Sequence, residues 1–183
     1  STPKEAAKDA EIVFVCVGND NDLRYVTLLN NGVLNSMKQD TLLVDHTTAS
    51  ADIAKELNLK CVENKIGFID APVSGGEAGA INGALTIMCG GKKADFEKAK
   101  DVMQAYSRYS KLLGEAGSGQ LAKMMNQICI AGVVQGLSEA LQFGLNAGMD
   151  CEAVVEVISK GAAGSWQMEN RHKTMLNDQY EHG

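Results

Sequence analysis

Residues 117–148 read GSGQLAKMMNQICIAGVVQGLSEALQFGLNAG. Apolar side chains recur there at helical spacing (Leu121, Met124, Met125, Ile128, Ala131, Val134, Leu137, Leu141, Leu145), and no proline interrupts them. The spacing predicts one helix of about 45 Å. It divides the chain into two kinds of sequence. Before it, apolar β-branched runs alternate with amphipathic stretches. After Gly119 nothing reads as a strand, and two more helical segments follow, DCEAVVEVISKG and SWQMENRHKTMLND.

Upstream, STPKEAAKDA reads as the end of a helix and runs into EIVFVCV, a buried strand bounded by Gly18-Asn19-Asp20. A helix is predicted over 22–37, then the strand TLLVDHTT and a helix capped by Ser50. GFIDAPV is a third strand. The loop SGGEAGAINGA leads to the strand LTIMCGG, the helical segment KKADFEKAKDVMQAY and a short strand SKLLGE. Strands alternating with helices imply βαβ units and a mostly parallel, doubly wound sheet. The expected fold class is therefore α/β: a partial Rossmann-type sheet over 1–114, then the long helix and an all-helical region over 115–183.

Composition narrows the function classes. An apolar fraction of 45%, a charged fraction of 22% and a net charge of −6 describe an ordinary soluble protein with no basic surface for nucleic acid or anionic lipid. No apolar run is read as a membrane span, and a cytoplasmic or organelle-matrix location is expected. The five cysteines form no CxxC pair and are expected to be reduced, and the three histidines show no ligand spacing, so no metal is expected.

In open α/β sheets, ligands bind beyond the carboxyl ends of the strands. Those positions are Gly18-Asn19-Asp20-Asn21, His46-Thr47-Thr48 and Pro72-Val73-Ser74-Gly75-Gly76. The last is a loop of small residues whose amides and serine hydroxyl suit a carboxylate, or else a turn whose glycines only supply positive φ. Between Gln120 and Ser138 the one charged side chain is Lys123. An ammonium in an apolar helix start is disfavoured by burial and by the helix dipole, so its pKa falls and it suits general acid–base work; the alternative is a lysine snorkelling to solvent. Asn126 and Gln127, three and four residues on, share its face. Gly117-Ser118-Gly119-Gln120-Leu121-Ala122 matches G-x-G-x-x-A but leads into a long helix with no second strand, so it is not read as a dinucleotide fingerprint. Its glycines are expected to let the helix start approach a ligand or the Ser74 loop. Gly132 and Gly136 are expected to permit close helix packing.

DHTTAS, DAPVSGGEAGAINGALTIMCGG, GEAGSGQLAKMMNQ and GSWQMENR together resemble the β-hydroxyacid dehydrogenase family, which includes 3-hydroxyisobutyrate dehydrogenase. The resemblance implies a Rossmann domain binding NAD or NADP, a long helix, a helical domain and an active site between domains. By motif, Lys123 matches the family's catalytic lysine, Ser74, Gly75 and Gly76 its substrate loop, and Asn126 and Gln127 its substrate-orienting amides, although many members carry a second asparagine where Gln127 stands. Cys16, Val17, Asn21 and Thr48 match cofactor contacts. The implied reaction is hydride transfer between NAD(P) and a small β-hydroxy acid. Alternatives are reduction of tartronate semialdehyde, glyoxylate or succinic semialdehyde, or a non-catalytic nucleotide-binding module. The family's glycine-rich turn and a downstream Lys-Asp motif are not found, so the chain is expected to be a fragment, inactive by itself, of an enzyme that is a homo-oligomer when intact.

Overall fold

The computed structural model describes residues 2–179. They form two compact units that divide between Met125 and Asn126.

The first unit is built on one sheet. Helix α1 (Pro3–Ala7) carries a capping box, with Thr2 accepting from the Glu5 amide and Glu5 accepting from the Thr2 amide. Then come β1 (Ile12–Val15), α2 (Asp20–Thr27), β2 (Leu42–Asp45), α3 (Ala51–Glu63), β3 (Gly67–Asp70) and β4 (Val73–Ser74). Helix α4 (Gly76–Ile81), β5 (Leu85–Gly91), α5 (Lys93–Met103) and β6 (Ser107–Gly114) complete the unit, together with the start of α6 (Ser118–Asn146). β1, β2 and β3 are parallel neighbours, and β5 and β6 are parallel to each other. β5 runs antiparallel to both β3 and β4, so the parallel-dominated sheet reverses once.

Alternation along the strands sends side chains to two faces. Leu43, Val15 and Phe68 meet Leu23 of α2 and Ile53, Leu57 and Cys61 of α3. On the other face Leu42, Val44, Ile69, Ile87 and Cys89 meet Phe96, Ala99 and Met103 of α5. Each fully buried aliphatic side chain contributes about 1.5–3 kcal/mol, so these two layers hold the unit.

Three local expectations are corrected. The helix predicted over 22–37 stops at Thr27, because Asn30-Asn31-Gly32 turns the chain: the Gly32 amide donates to Leu29 O at 2.6 Å and Asn35 Nδ2 donates to the same oxygen at 2.7 Å. A single 3₁₀ turn follows at Val33–Asn35. The strand GFIDAPV breaks into β3 and β4 around Ala71-Pro72, and the loop after it contains α4. Helix α6 is long and apolar enough to cross a bilayer by length and composition alone, where the sequence reading found no such span.

The second unit comprises the rest of α6, α7 (Cys151–Ile158) and α8 (Trp166–Leu176). Leu137 and Leu141 pack with Cys151, Val155 and Met168. Asp150 and Ser165 cap α7 and α8 through hydrogen bonds to backbone amides. The close packing expected at Gly132 and Gly136 is not made among the described residues, where a Cβ at either would meet nothing within 4 Å.

Candidate active site at the carboxyl ends of the central strands

The ends of β1, β2 and β3 are tied together by a buried polar network. Asp45, the last residue of β2, is fully buried; its Oδ1 accepts from the Thr47 amide at 2.9 Å. Thr47 Oγ1 accepts from the Val17 amide at 3.1 Å, joining the rim after β1 to the rim after β2. Asp20 accepts from both the amide and the hydroxyl of Ser50, at 2.9 and 2.6 Å, and so fixes the start of α2 to the start of α3. Thr48, Cys16 and Asn21 remain exposed on this rim and Val17 is half-buried. These are the four residues matched to cofactor contacts, and the Val17 amide is already committed to Thr47. The exposed hydroxyl and amide side chains of Thr48 and Asn21 suit a nucleotide edge, so the rim fits that part of a dinucleotide.

The start of α6 is pressed onto the same strand ends. Asp70, the last residue of β3, accepts from the Gly117 amide through Oδ1 at 2.8 Å and from the Gln120 amide through Oδ2 at 3.0 Å. A carboxylate from another strand thus caps the helix in place of a local N-cap residue. Gln120 is fully buried: its Nε2 donates to Thr47 O at 2.7 Å and its Oε1 accepts from the Ala49 amide at 3.1 Å. The glycine of the G-x-G-x-x-A segment has a protein partner. A Cβ on Gly119 would stand 2.5 Å from Met88 O and 2.6 Å from Asp70 O. The expected close approach is therefore to strand backbone, not to a ligand or to the Ser74 loop.

One turn further along, Lys123 is half-buried and its Nζ donates to Val73 O at 2.9 Å. Burial holds its pKa below the ordinary lysine value, and its hydrogen-bond partner is a neutral carbonyl, which does little to restore the charge. Val73 is next to Ser74, so the structure brings Lys123 to the β4 segment that opens the Ser74-Gly75-Gly76 turn. Gly75 and Gly76 have φ of 138° and 62°, conformations that exclude most side chains and turn the backbone into α4. Asn126 and Gln127 lie in the second unit, where Asn126 Nδ2 donates to Gln127 Oε1 at 2.9 Å.

Burial pushes the Asp45 carboxyl up to about 6, and raises Asp70 against the opposing pull of its amide donors. Asp70 and Gln120 are the residues that sequence reasoning passed over, and Thr47, read there as a ligand-facing position, instead serves as partner to Gln120 and to the Val17 amide. Asp70 stands inside DAPVSGG and Gln120 inside GSGQ, and the signal available was polarity at the end of an apolar strand and at a helix start.

Comparisons with known proteins bear on the fold and the family. The NAD binding domain of 6-phosphogluconate dehydrogenase matches residues 1–125, and the NAD-binding domain of NADP-dependent 3-hydroxyisobutyrate dehydrogenase matches residues 117–183. An uncharacterized oxidoreductase of Shewanella frigidimarina is 60% identical over all of this chain, which covers 62% of that protein. A probable mitochondrial 3-hydroxyisobutyrate dehydrogenase-like protein of Arabidopsis thaliana is 39% identical over 90% of this chain and 55% of its own length. The crystal structure of 3-hydroxyisobutyrate dehydrogenase from Salmonella typhimurium superposes with a TM-score of 0.86 at 28% identity, covering 98% of this chain and 62% of that one. The chain thus spans about three-fifths of such relatives, and from its sequence and fold it belongs to the β-hydroxyacid dehydrogenase family, whose cofactor is NAD or NADP.

Proposed function

We propose that the protein carrying this chain is an NAD(P)-dependent dehydrogenase of small β-hydroxy acids, 3-hydroxyisobutyrate among them. The observation that carries the proposal is the half-buried Lys123 ammonium on the Val73 carbonyl, next to Ser74. NAD(P), when bound, supplies the hydride acceptor or donor. Lys123 Nζ removes the hydroxyl proton as the carbon-bound hydrogen leaves as hydride, and returns that proton in the reductive direction. Its depressed pKa makes the neutral amine accessible for the oxidative step. Ser74 Oγ and the Gly75 and Gly76 amides hold the substrate carboxylate, and Asn126 or Gln127, one helical turn beyond Lys123, orients the substrate. Cys16, Val17, Asn21 and Thr48 line the cofactor's edge. The cell compartment of this reading is the cytoplasm or an organelle matrix.

Two relatives support the substrate class. A Pseudomonas aeruginosa protein 30% identical to this chain is an NAD-dependent L-serine dehydrogenase, and a Mycobacterium tuberculosis 3-hydroxyisobutyrate dehydrogenase of 26% identity was crystallised with L-serine. Serine is itself a β-hydroxy acid, differing only at the α carbon. The test is nicotinamide absorbance in the complete natural polypeptide, with both cofactors, over a series of small β-hydroxy acids. Lys123→Met is expected to lower kcat by about two to four orders of magnitude with cofactor affinity nearly unchanged. Unchanged kcat would reject the lysine as the acid–base group.

A further inference from the structure

We infer that Gln120 and Asp70 are positioning residues that lock Lys123 to the cofactor-side rim, so that the helix start, the DHTT loop and the lysine move as one body. The inference rests on the proposed role of Lys123 and extends it to two residues that touch neither ligand.

The geometry is a set of hydrogen bonds centred on Gln120. The Val17 amide donates to Thr47 Oγ1, and Gln120 Nε2 donates to the carbonyl of that same Thr47. Gln120 Oε1 accepts from the Ala49 amide, so one buried side chain grips the backbone on both sides of Thr48. The Gln120 amide in turn donates to Asp70 Oδ2, while Asp70 Oδ1 takes the Gly117 amide. Lys123 is three residues beyond Gln120, on the next turn of the same helix, and its own bond to Val73 O fixes the outer end of the arrangement. The helix start is therefore held from β2 through Gln120, from β3 through Asp70, and by contact at Gly119 with the backbone of Met88 and Asp70.

The network pairs backbone groups at the helix start and on both sides of Thr48 that an apolar side chain would leave unsatisfied. An apolar contact would also not fix the helix along its axis or in rotation. Directed bonds at both ends of Gln120 do so, and a proton-transferring group needs that, because displacement by about 1 Å costs on the order of 10²-fold in rate. The bonds run to the loop that carries the exposed Thr48, which couples placement of the lysine to placement of the rim.

A double-mutant cycle tests this in the complete natural polypeptide, with kcat/KM normalised to folded protein by circular dichroism. Gln120→Met keeps the volume and removes both side-chain bonds; it is expected to lower kcat/KM by about 10- to 100-fold, mostly in kcat. In the Lys123→Met background the same change is expected to have an effect under about 2-fold, because its action runs through the lysine. Asp70→Asn, which keeps the shape and one acceptor oxygen, is expected to behave in the same way with a smaller loss, and it carries the test if Gln120→Met folds poorly. An equal loss in both backgrounds, or no loss in the wild-type background, would overturn the inference. If Lys123→Met alone left activity intact, the acid–base reading itself would fall, an outcome separate from either of these.

Discussion

Asp45 gives the sharpest quantitative prediction. One of its carboxyl oxygens accepts the Thr47 amide; the other, Oδ2, is buried without a partner among the described residues. Burial is the largest cause of the rise from the ordinary 3.8 to about 6, with repulsion from Asp70 and Asp20 adding to it and the Thr47 bonds opposing it. A carboxyl whose folded pKa is raised makes a stabilising contribution that is fully present below the unfolded pKa and lost as pH rises through the folded one. For this pair of values the loss totals ~3 kcal/mol, of which about 2 kcal/mol falls between roughly pH 4.5 and pH 7.5. Asp45→Asn removes the titration while its carbonyl oxygen keeps the Thr47 amide. The amide NH₂ placed where Oδ2 stands costs about 1–3 kcal/mol, but equally at every pH. The assay is urea unfolding of both proteins across that range, read as the wild-type minus variant difference. His46, held below its ordinary value by burial, pulls stability the other way as pH falls, but it is present in both proteins and subtracts out. The difference should fall steadily with rising pH, the wild type losing ground to the variant. A flat difference, or one that rises with pH, would show that Asp45 is ionised with its charge compensated.

Gly119→Ala places a methyl against two backbone carbonyl oxygens and the Asp70 carboxylate, which is itself held by two backbone amides. It should cost about 2–3 kcal/mol and lower Tm by about 5–10 °C in a thermal melt, whereas Gly132→Ala, with open space around it, should be neutral or stabilising by up to about 1 kcal/mol. For the proposed substrate site, the methyl ester of 3-hydroxyisobutyrate should lose several kcal/mol in kcat/KM relative to the acid, since the donors of Ser74, Gly75 and Gly76 are left poorly paired. Replacing the α-methyl by hydrogen should cost only about 1–3 kcal/mol. An ester turned over as well as the acid would return the Ser74 loop to an ordinary turn.

What the sequence makes legible follows from the range of the interactions. Helix α6 can be read from residues 117–148 because apolar spacing and the absence of proline are local properties. Ser50, Asp150 and Ser165 act within three residues of themselves, so two or three letters suffice to see a cap. The early end of α2 is also local, but its signal, Asn30-Asn31-Gly32, sits among leucines and valines whose periodicity continues past the turn. The clamp on α6 is different. Asp70 reaches amides 47 and 50 residues away, and Gln120 reaches across more than 70 residues to Thr47 and Ala49. No spacing rule encodes such partners. Lys123 stands out by its isolation, but the carbonyl it meets, Val73 O, is visible only once β4 is placed.

The reversal at β5 has a consequence for how this scaffold can change over evolution. Because β5 opposes β4, with Ser74 beside Thr86, the edge next to Ser74 is made from the first residues of β5 and β6. Two connectors border it: the stretch from Glu77 to Ala84, beyond the Ser74-Gly75-Gly76 turn, and the short link from Gln104 to Tyr106 that enters β6. Neither contributes a crossover between β1, β2 and β3, so either can lengthen, shorten or change composition without disturbing the register that holds Asp45 and Asp70. Selection can thus remodel the surroundings of Ser74 while leaving the lysine's mounting untouched, which separates an adaptable border from a fixed framework.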